Sequence, residues 1–561
     1  MKVITVFTCV LCWFVCNRAY PQISSSGIPW SYGDKSLSLG IPEVSIASPD
    51  IRRLLNEDFV TDTLNLPHRF MEIIPVDIDF ITSASRELLR DGSLVYRLKL
   101  SSAGALAISL YFDRFYLPSG SNLYLYDENG GQLKGSFTEK NNNESLLFAT
   151  ELLLGDVVVL ELNESAWSPG SARLRISGFG YAYREIPQIN NTRGFGGSDS
   201  CEINVRCSPE GNNWQTCKAG IVRIQVKVSG SAFWCSGSLV NNARNDKKPY
   251  VLTADHCAYQ MGHYASAADL MQWLFYFGYE SPSCENPVTE PQLYSMVGAS
   301  KVANGGERGN TGSDFYFLLL NQNIPGYYQQ YFNGWSAINE VSQNGVVIHH
   351  PEGDIKKIST YLTPVQSTNW FNNTVQSHWK VFWIETENGW GVTEGGSSGS
   401  PLFNNDGRII GTLTGGYSAC DSSGVVGPNK PDYFGKFSYH WESNGTADTC
   451  QLKPWLDPDN TGITFMDGLN VGFEDYENGK EEKLLVYPNP AVDFINLYFT
   501  KFEPSKADVE IVDVIGTSHV KYTFGNQALK EKLNIGDLPK GIYLLVIQYG
   551  DARIIKRFIK N

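Results

Sequence analysis

The sequence predicts a mainly β protein built from several domains, and three observations predict it. The chain has 561 residues, which at roughly 150 residues per domain corresponds to three or four domains. Short runs rich in Val, Ile, Tyr and Phe alternate with Asn, Gly, Asp and Ser, the punctuation expected between strands. Long helical heptads are absent, while Gly and Pro are frequent, at 53 and 26 residues.

Residues 1–19 have the layout of an export signal: Lys2 gives a positive start, Val3 to Val15 an apolar stretch, and Ala19 a cleavage end. That apolar stretch is too short to span a bilayer, and no other segment is long and apolar enough, so no stable membrane span is expected. Residues 20–193 form a first region, expected to be a β-sandwich propeptide. Its strands fall at Leu94–Leu100, Ala107–Phe112, Leu123–Tyr126 and Asp156–Leu162, separated by turns such as Asn129-Gly130-Gly131. It carries no cluster of catalytic residue types. The run Asn190-Asn191-Thr192-Arg193-Gly194-Phe195-Gly196-Gly197 reads as an exposed joint, with Arg193-Gly194 the expected cleavage point. Residues 194–468 hold every cysteine outside the signal. Residues 469–483 read as a linker, because Phe473–Lys483 is polar and charged. Residues 484–561 form a last small β unit with strands at Ile495–Phe499, Val509–Val514 and Ile542–Gln548.

A formal charge of −14 argues against nucleic acid as a partner, since phosphate binding needs a basic surface. Of the 11 cysteines, Cys9, Cys12 and Cys16 leave with the signal. The eight that remain, an even number in an exported chain, point to disulfides. Their spacing lacks paired C-x-x-C units, which argues against a metal site; neither metal nor cofactor is expected.

Three segments of the middle region carry residues suited to nucleophilic catalysis. In Val251-Leu252-Thr253-Ala254-Asp255-His256-Cys257 an apolar strand ends in a histidine beside a cysteine. In Gly312-Ser313-Asp314-Phe315-Tyr316-Phe317 an aspartate opens an apolar strand. In Gly395-Gly396-Ser397-Ser398-Gly399-Ser400-Pro401 small residues surround a serine, so a carbonyl can approach it closely. The order His, Asp, Ser is that of chymotrypsin rather than subtilisin or the α/β-hydrolases. Ser398 would be the nucleophile, His256 the base that takes its proton, and Asp314 the group that orients and stabilises the imidazole. The N–H groups of Gly396 and Ser398 would hold the oxyanion.

At these residues the middle region resembles the lysyl endopeptidase family of chymotrypsin-fold serine proteases. The likeness extends to Cys201-Glu-Ile-Asn-Val-Arg-Cys207, Cys235-Ser-Gly-Ser-Leu-Val-Asn-Asn, Ile348-His-His-Pro351, Gly391-Val-Thr-Glu and Trp455-Leu-Asp-Pro-Asp-Asn-Thr-Gly462. The resemblance implies two antiparallel β-barrels with the triad His256, Asp314 and Ser398 between them. It implies a serine endopeptidase acting on protein and peptide substrates that cuts after Lys; a monomer is expected. Asp432, in Pro431-Asp-Tyr-Phe-Gly435, takes the position of the carboxylate at the base of the specificity pocket, and a desolvated carboxylate would attract a long cationic side chain. An arginyl or mixed Lys/Arg protease, or an inactive protease-shaped binding protein, remain the alternatives. Leu413-Thr414-Gly415-Gly416 matches the strand that pairs with substrate backbone. The family has a His where Thr414 stands, stacked on a Trp corresponding to Trp370; here the Trp is kept and the His is gone. Ser397 replaces the Asp that trypsin-like zymogens pair with a freed N-terminus, so activation must differ. The His349-His350 pair, which the family holds without metal, reads as structural.

The resemblance also pairs Cys201 with Cys420, Cys207 with Cys284, and Cys235 with Cys257. Cys217 and Cys450, extra to the family, are expected to pair with each other. The last unit, with Val486-Tyr-Pro-Asn-Pro490, Val509-Glu-Ile-Val-Asp-Val514 and Leu538-Pro-Lys-Gly-Ile-Tyr543, resembles the C-terminal sorting domain of the type IX secretion system and is expected to be a small β-sandwich. That resemblance implies a Gram-negative bacterium, export through the periplasm to the surface or medium, and the secretion machinery as a partner.

Overall fold

The computed structural model describes residues 27–33, 40–62, 67–167, 170–184, 197–260, 262–288, 290–291, 293–306, 310–370, 374–423, 425–470, 484–487, 491–499, 506–513, 517–525, 530–549 and 552–560. The export signal and Arg193-Gly194 lie outside them. The chain divides into two compact units, Met1–Gly472 and Phe473–Asn561.

Two antiparallel barrels occupy the middle of the first unit. In barrel 1, Ile221–Val228 pairs with Ser231–Leu239, then Tyr250–Thr253, Tyr316–Leu320 and Ala299–Asn304 follow in order. Gly298, at φ +85°, turns that last strand into Tyr294–Val297, which pairs with Leu274–Phe277. Leu274–Phe277 returns to Val222–Gln225 and closes the ring. In barrel 2 the order is Lys357–Tyr361, Gly345–His349, Pro401–Asn404, Arg408–Gly416, Pro431–Lys436 and Thr374–Phe382. A bond from the Ile384 N–H to the Thr360 carbonyl, at 3.1 Å, joins its ends. Barrel 1 encloses Val222, Ile224, Val251, Trp273, Phe275 and Leu318, and barrel 2 encloses Val347, Trp379, Val381, Leu402 and Phe434. Each fully buried side chain of this kind contributes about 1.5–3 kcal/mol.

The N-terminal region is a two-sheet sandwich. One sheet orders Glu43–Ser45, Leu94–Ser101, Val157–Glu164, Asn122–Tyr126 and Leu133–Phe137. The other holds Arg69–Asp79, Arg173–Ala182 and Ala107–Tyr116. The four strands expected there form. What the sequence did not signal is that the sandwich and the protease barrels share one sheet: Arg69–Glu72 pairs antiparallel with Ser231–Phe233 at the edge of barrel 1. Phe70 stacks on Trp234 at 4.3 Å between centroids, and the Gln272 amide donates to the carbonyls of Phe112 and Phe148. The expected linker also begins too early. Leu469–Asn470 pairs with Tyr331–Phe332 and so belongs to the barrels.

Disulfides join Cys201 to Cys420, Cys207 to Cys284 and Cys235 to Cys257. The expected bond between Cys217 and Cys450 does not form; both are free thiols. Cys217 is buried where the chain enters Ile221–Val228, its sulfur against the Gly407 carbonyl at 3.7 Å. Cys450 closes the turn Asp448–Cys450 and packs beside Gly445. The two thiols serve different packing environments, so an even count does not by itself make a pair.

The second unit is a small β-sandwich. A three-stranded sheet (Leu484–Tyr487, Phe494–Phe499, Lys530–Asn534) and a four-stranded sheet (Ser518–Gly525, Lys506–Asp513, Gly541–Tyr549, Ala552–Lys560) enclose Ile495, Leu497, Ile511, Leu545 and Phe558. Among the described residues, no helix is long and apolar enough to cross a membrane.

Candidate active site

Strand register brings His256 to Asp314. Thr253 pairs with Tyr316, so the one-turn helix Asp255–Ala258 that follows the first strand sits beside the residues that precede the second. His256 Nδ1 lies 2.8 Å from Asp314 Oδ2, and the His256 backbone N–H donates to Asp314 Oδ1 at 3.0 Å. Asp314 takes the left-handed backbone conformation, φ 59°. Its neighbours hold it there: the Ser313 N–H donates to Asn444 at 2.9 Å, and the Thr412 hydroxyl to the Asp314 carbonyl at 3.3 Å. The Cys235–Cys257 bridge ties the helix to the adjacent strand. Asp314 is fully buried, which alone would raise its pKa. The His256 charge and the bonds from His256 and the Thr414 hydroxyl outweigh burial and hold the carboxyl below the usual aspartate range. His256 Nε2 is buried without a hydrogen-bond partner.

Ser398 comes from barrel 2. Its carbonyl accepts the Ser236 N–H at 2.8 Å, and the Ser236 hydroxyl donates to the Gly396 carbonyl at 2.9 Å. Ser236 belongs to barrel 1, so the loop that carries Ser398 is fastened across the cleft that separates the barrels. The Gly399 N–H bonds the Leu413 carbonyl at 2.9 Å, and the Leu413 N–H bonds the Ser400 carbonyl at 2.9 Å. Gly396 stands at φ +84°, where a Cβ would come within 2.9 Å of the Gly353 nitrogen and the His350 carbonyl. That conformation and that approach both require glycine.

Beside Ser398 is a cavity of about 430 Å³ lined by Thr393, Leu413, Gly415, Gly416 and Ser418, with Asp199, Glu352 and Glu394 at its acidic side. Asp432 lies one layer behind this wall. Its carboxylate accepts from Trp383 Nε1–H (2.6 Å), the Thr393 hydroxyl (2.8 Å), the Ser418 hydroxyl (2.5 Å) and the Ser418 N–H (3.1 Å). Burial pushes the carboxyl up, and these neutral donors oppose the shift without cancelling it. Gly416 pairs with Asp432, and a side chain there would put its Cβ 1.9 Å from Asp432 Oδ1.

Sequence reasoning missed two features. The first is His378, which is fully buried. Its ring stacks on Trp370 at 5.8 Å between centroids, and its Nε2 lies 3.1 Å from the Thr414 hydroxyl. A histidine therefore stands against Trp370 after all, carried by the strand Thr374–Phe382 instead of by position 414. The second is the N-terminal region's reach into the cleft: Asp62 and His68 line the same cavity as Ser398. The His68 ring lies against Gly395, 2.5 Å from where a Cβ would stand, and its Nδ1 is 3.3 Å from Glu352. Nothing local in the sequence marks either contact. Asp199, Glu394 and Cys420 also converge, but Cys420 is bonded to Cys201 and has no thiolate to offer a metal.

Two regions of the chain match family models. The family model described as lysyl endopeptidase, C-terminal domain, matches residues 195–435, and that of the secretion system C-terminal sorting domain matches 485–561. A lysyl endopeptidase of Pseudomonas aeruginosa is 27% identical over 361 residues, 62% of this chain and 74% of that protein. Among solved structures, the thermostable serine protease AL20 from an extremophilic microorganism is 15% identical at a TM-score of 0.27, covering 39% of this chain and 91% of its own. A Glu endopeptidase is 17% identical at a TM-score of 0.25, covering 43% of this chain and 92% of its own. A chain with this tail is exported to the surface or surroundings of a Gram-negative bacterium. Residues 195–435 thus belong to the lysyl endopeptidase family, residues 485–561 to the type IX sorting domains, and the chain is a serine endopeptidase.

Proposed function

We propose that this endopeptidase hydrolyses peptide bonds C-terminal to lysine through an acyl-enzyme formed on Ser398. His256 Nε2, which has no protein partner, takes the Ser398 proton and returns it to the leaving amine. Asp314 fixes the tautomer with the proton on Nδ1 and stabilises the imidazolium. The Gly396 and Ser398 N–H groups stabilise the oxyanion. Substrate backbone runs along Leu413-Thr414-Gly415-Gly416, with Trp370 at the edge of that surface.

The observation that carries the lysine reading is the environment of Asp432. A buried carboxylate with four neutral donors and, among the described residues, no cationic partner is an unbalanced charge, and the cavity beside it is lined by Ser398 as well. The Thr393 and Ser418 hydroxyls, which line the cavity, give their protons to Asp432, so each oxygen keeps acceptor capacity for an ammonium group, one Ser418 lone pair being taken by the Thr393 N–H. Peptide mapping of a denatured protein digested by the secreted enzyme tests the reading. Cuts confined to lysyl bonds, with loss of those cuts in Asp432→Asn, are expected; equal cutting after Arg would replace it with a mixed specificity.

The full chain is read as a latent precursor matured at Arg193-Gly194, with the mature chain beginning Gly-Phe-Gly-Gly, after passage through the periplasm to the type IX machinery. The Asp62 and His68 side chains in the cleft support latency, since substrate must displace them. N-terminal sequencing of the secreted form tests the cleavage point.

A further inference from the structure

The buried His349 is not part of the triad, yet both of its ring nitrogens lead to the loop that carries Ser398. Nδ1 lies 2.7 Å from the Ser397 hydroxyl, and Nε2 lies 3.1 Å from the Ser359 hydroxyl. The Ser359 hydroxyl donates to the Val392 carbonyl at 2.7 Å, so it accepts from His349, which fixes the proton on Nε2. Nδ1 is then a lone pair that accepts from the Ser397 hydroxyl, and Ser397 Oγ in turn accepts the Glu394 N–H at 3.2 Å. One imidazole therefore grips the loop at both ends: at Val392 through Ser359, and at Ser397 directly, with Glu394 held through Ser397. Burial holds its pKa down to about 3, so the grip is neutral and needs no counter-ion.

We infer that His349 is a positioning residue for the oxyanion loop, acting through Ser397 to set the direction of the Gly396 and Ser398 N–H groups. The strands Gly345–His349 and Lys357–Tyr361 of barrel 2 are the fixed frame, and the loop Val392–Ser398 is what they orient. The grip is complete in the full-length chain, before any new N-terminus is made. The oxyanion loop is thus ordered in the precursor, and removal of the N-terminal region uncovers it without having to build it. This inference rests on the assignment of Ser398 as nucleophile and of its N–H and that of Gly396 as oxyanion donors.

The test uses the secreted enzyme and two inhibitors. A lysyl boronic acid places an oxygen in the oxyanion hole, whereas n-butylamine fills only the specificity pocket. Ser397→Ala, a small change that unties one end, is expected to lower kcat on a lysyl ester and weaken the boronate by about 10- to 100-fold, part of what loss of a whole oxyanion donor costs, with n-butylamine affinity within about twofold. His349→Leu should match Ser397→Ala, the double variant should be no worse than either single one, and His349→Gln should recover part of the loss. Unchanged boronate affinity in Ser397→Ala, equal weakening of both inhibitors, or additive losses in the double variant would overturn the inference, and Ser397→Ala decides it if His349→Leu does not fold. A Ser398→Ala enzyme that still turned over the ester would instead overturn the nucleophile assignment beneath it.

Discussion

Two fully buried aspartates, Asp314 in barrel 1 and Asp432 in barrel 2, stand in environments that differ in one respect. Asp314 faces His256, a partner that can carry positive charge, and its carboxyl is held below the ordinary range. Asp432 faces an indole, two hydroxyls and an amide N–H, all neutral, and its carboxyl is pushed above it. The desolvation is comparable; the charge balance is not. A carboxylate whose counter-charge is built in serves the protein's own chemistry. A carboxylate without one is poised for a counter-charge that arrives with the substrate.

The contrast can be broken at either end. Asp314→Asn keeps the shape but offers His256 the wrong hydrogen-bond partner, and kcat on a lysyl ester should fall on the order of 10³–10⁴-fold with KM nearly unchanged. A loss below tenfold would remove Asp314 from the triad. Asp432→Asn should reduce kcat/KM for lysyl substrates by about 10²–10³-fold, within the few kcal/mol that follow from losing one partner of a buried charge pair. Its activity on a substrate with an uncharged residue at the cleavage site should change far less. Equal losses on both substrates would mean that Asp432 supports the fold and not the choice of residue.

The cover over the cleft gives a third, intermediate effect. In a precursor made uncleavable by Arg193→Ala, His68→Gly removes the ring that lies against Gly395. Hydrolysis of a small lysyl ester should rise by about tenfold, the order of a single lost contact worth 1.4 kcal/mol. An unchanged rate would locate latency elsewhere in the N-terminal region.

The smallest expected effect concerns pH. Lysine binding needs the ionised form of Asp432, and burial raises its pKa, so kcat/KM should fall on the acid side at a pH above the ordinary aspartate range. Ser418→Ala deletes a bond that favours the ionised form. The pKa then rises further, and the acid limb should move to higher pH by about one unit, the size of one such hydrogen bond. A limb that stays in place, or moves down, would show that the Asp432 charge does not govern that limb.

Much of this site was readable in the sequence because its parts are local. His256 follows a strand and stands beside a cysteine, Asp314 precedes a strand, and Ser398 stands among glycines, so each announces itself within a few residues. Asp432 was readable only through the family likeness, since an aspartate between a proline and a tyrosine has no signature of its own. His378 escaped notice because its relation to Trp370 and Thr414 is made by strand pairing across the barrel. His68 escaped because it reaches the cleft from another region of the chain. Cys217 and Cys450 show the converse: a count of thiols carries no information on their separation, which decides pairing. The linker began too early because Leu469–Asn470 pairs with a strand more than a hundred residues upstream, which local polarity cannot reveal.

The shared sheet has a consequence for the order of events after synthesis. While the chain is whole, Arg69–Glu72 covers the backbone of Ser231–Phe233, and Phe70 covers Trp234. If the N-terminal sandwich leaves after the proposed cleavage, that interior seam becomes a bare strand edge with one face of the Trp234 indole uncovered, the kind of edge that pairs with extended chain. On the proposed cleavage the step would run one way, because the severed sandwich would return only as a separate molecule, at a concentration diluted by secretion.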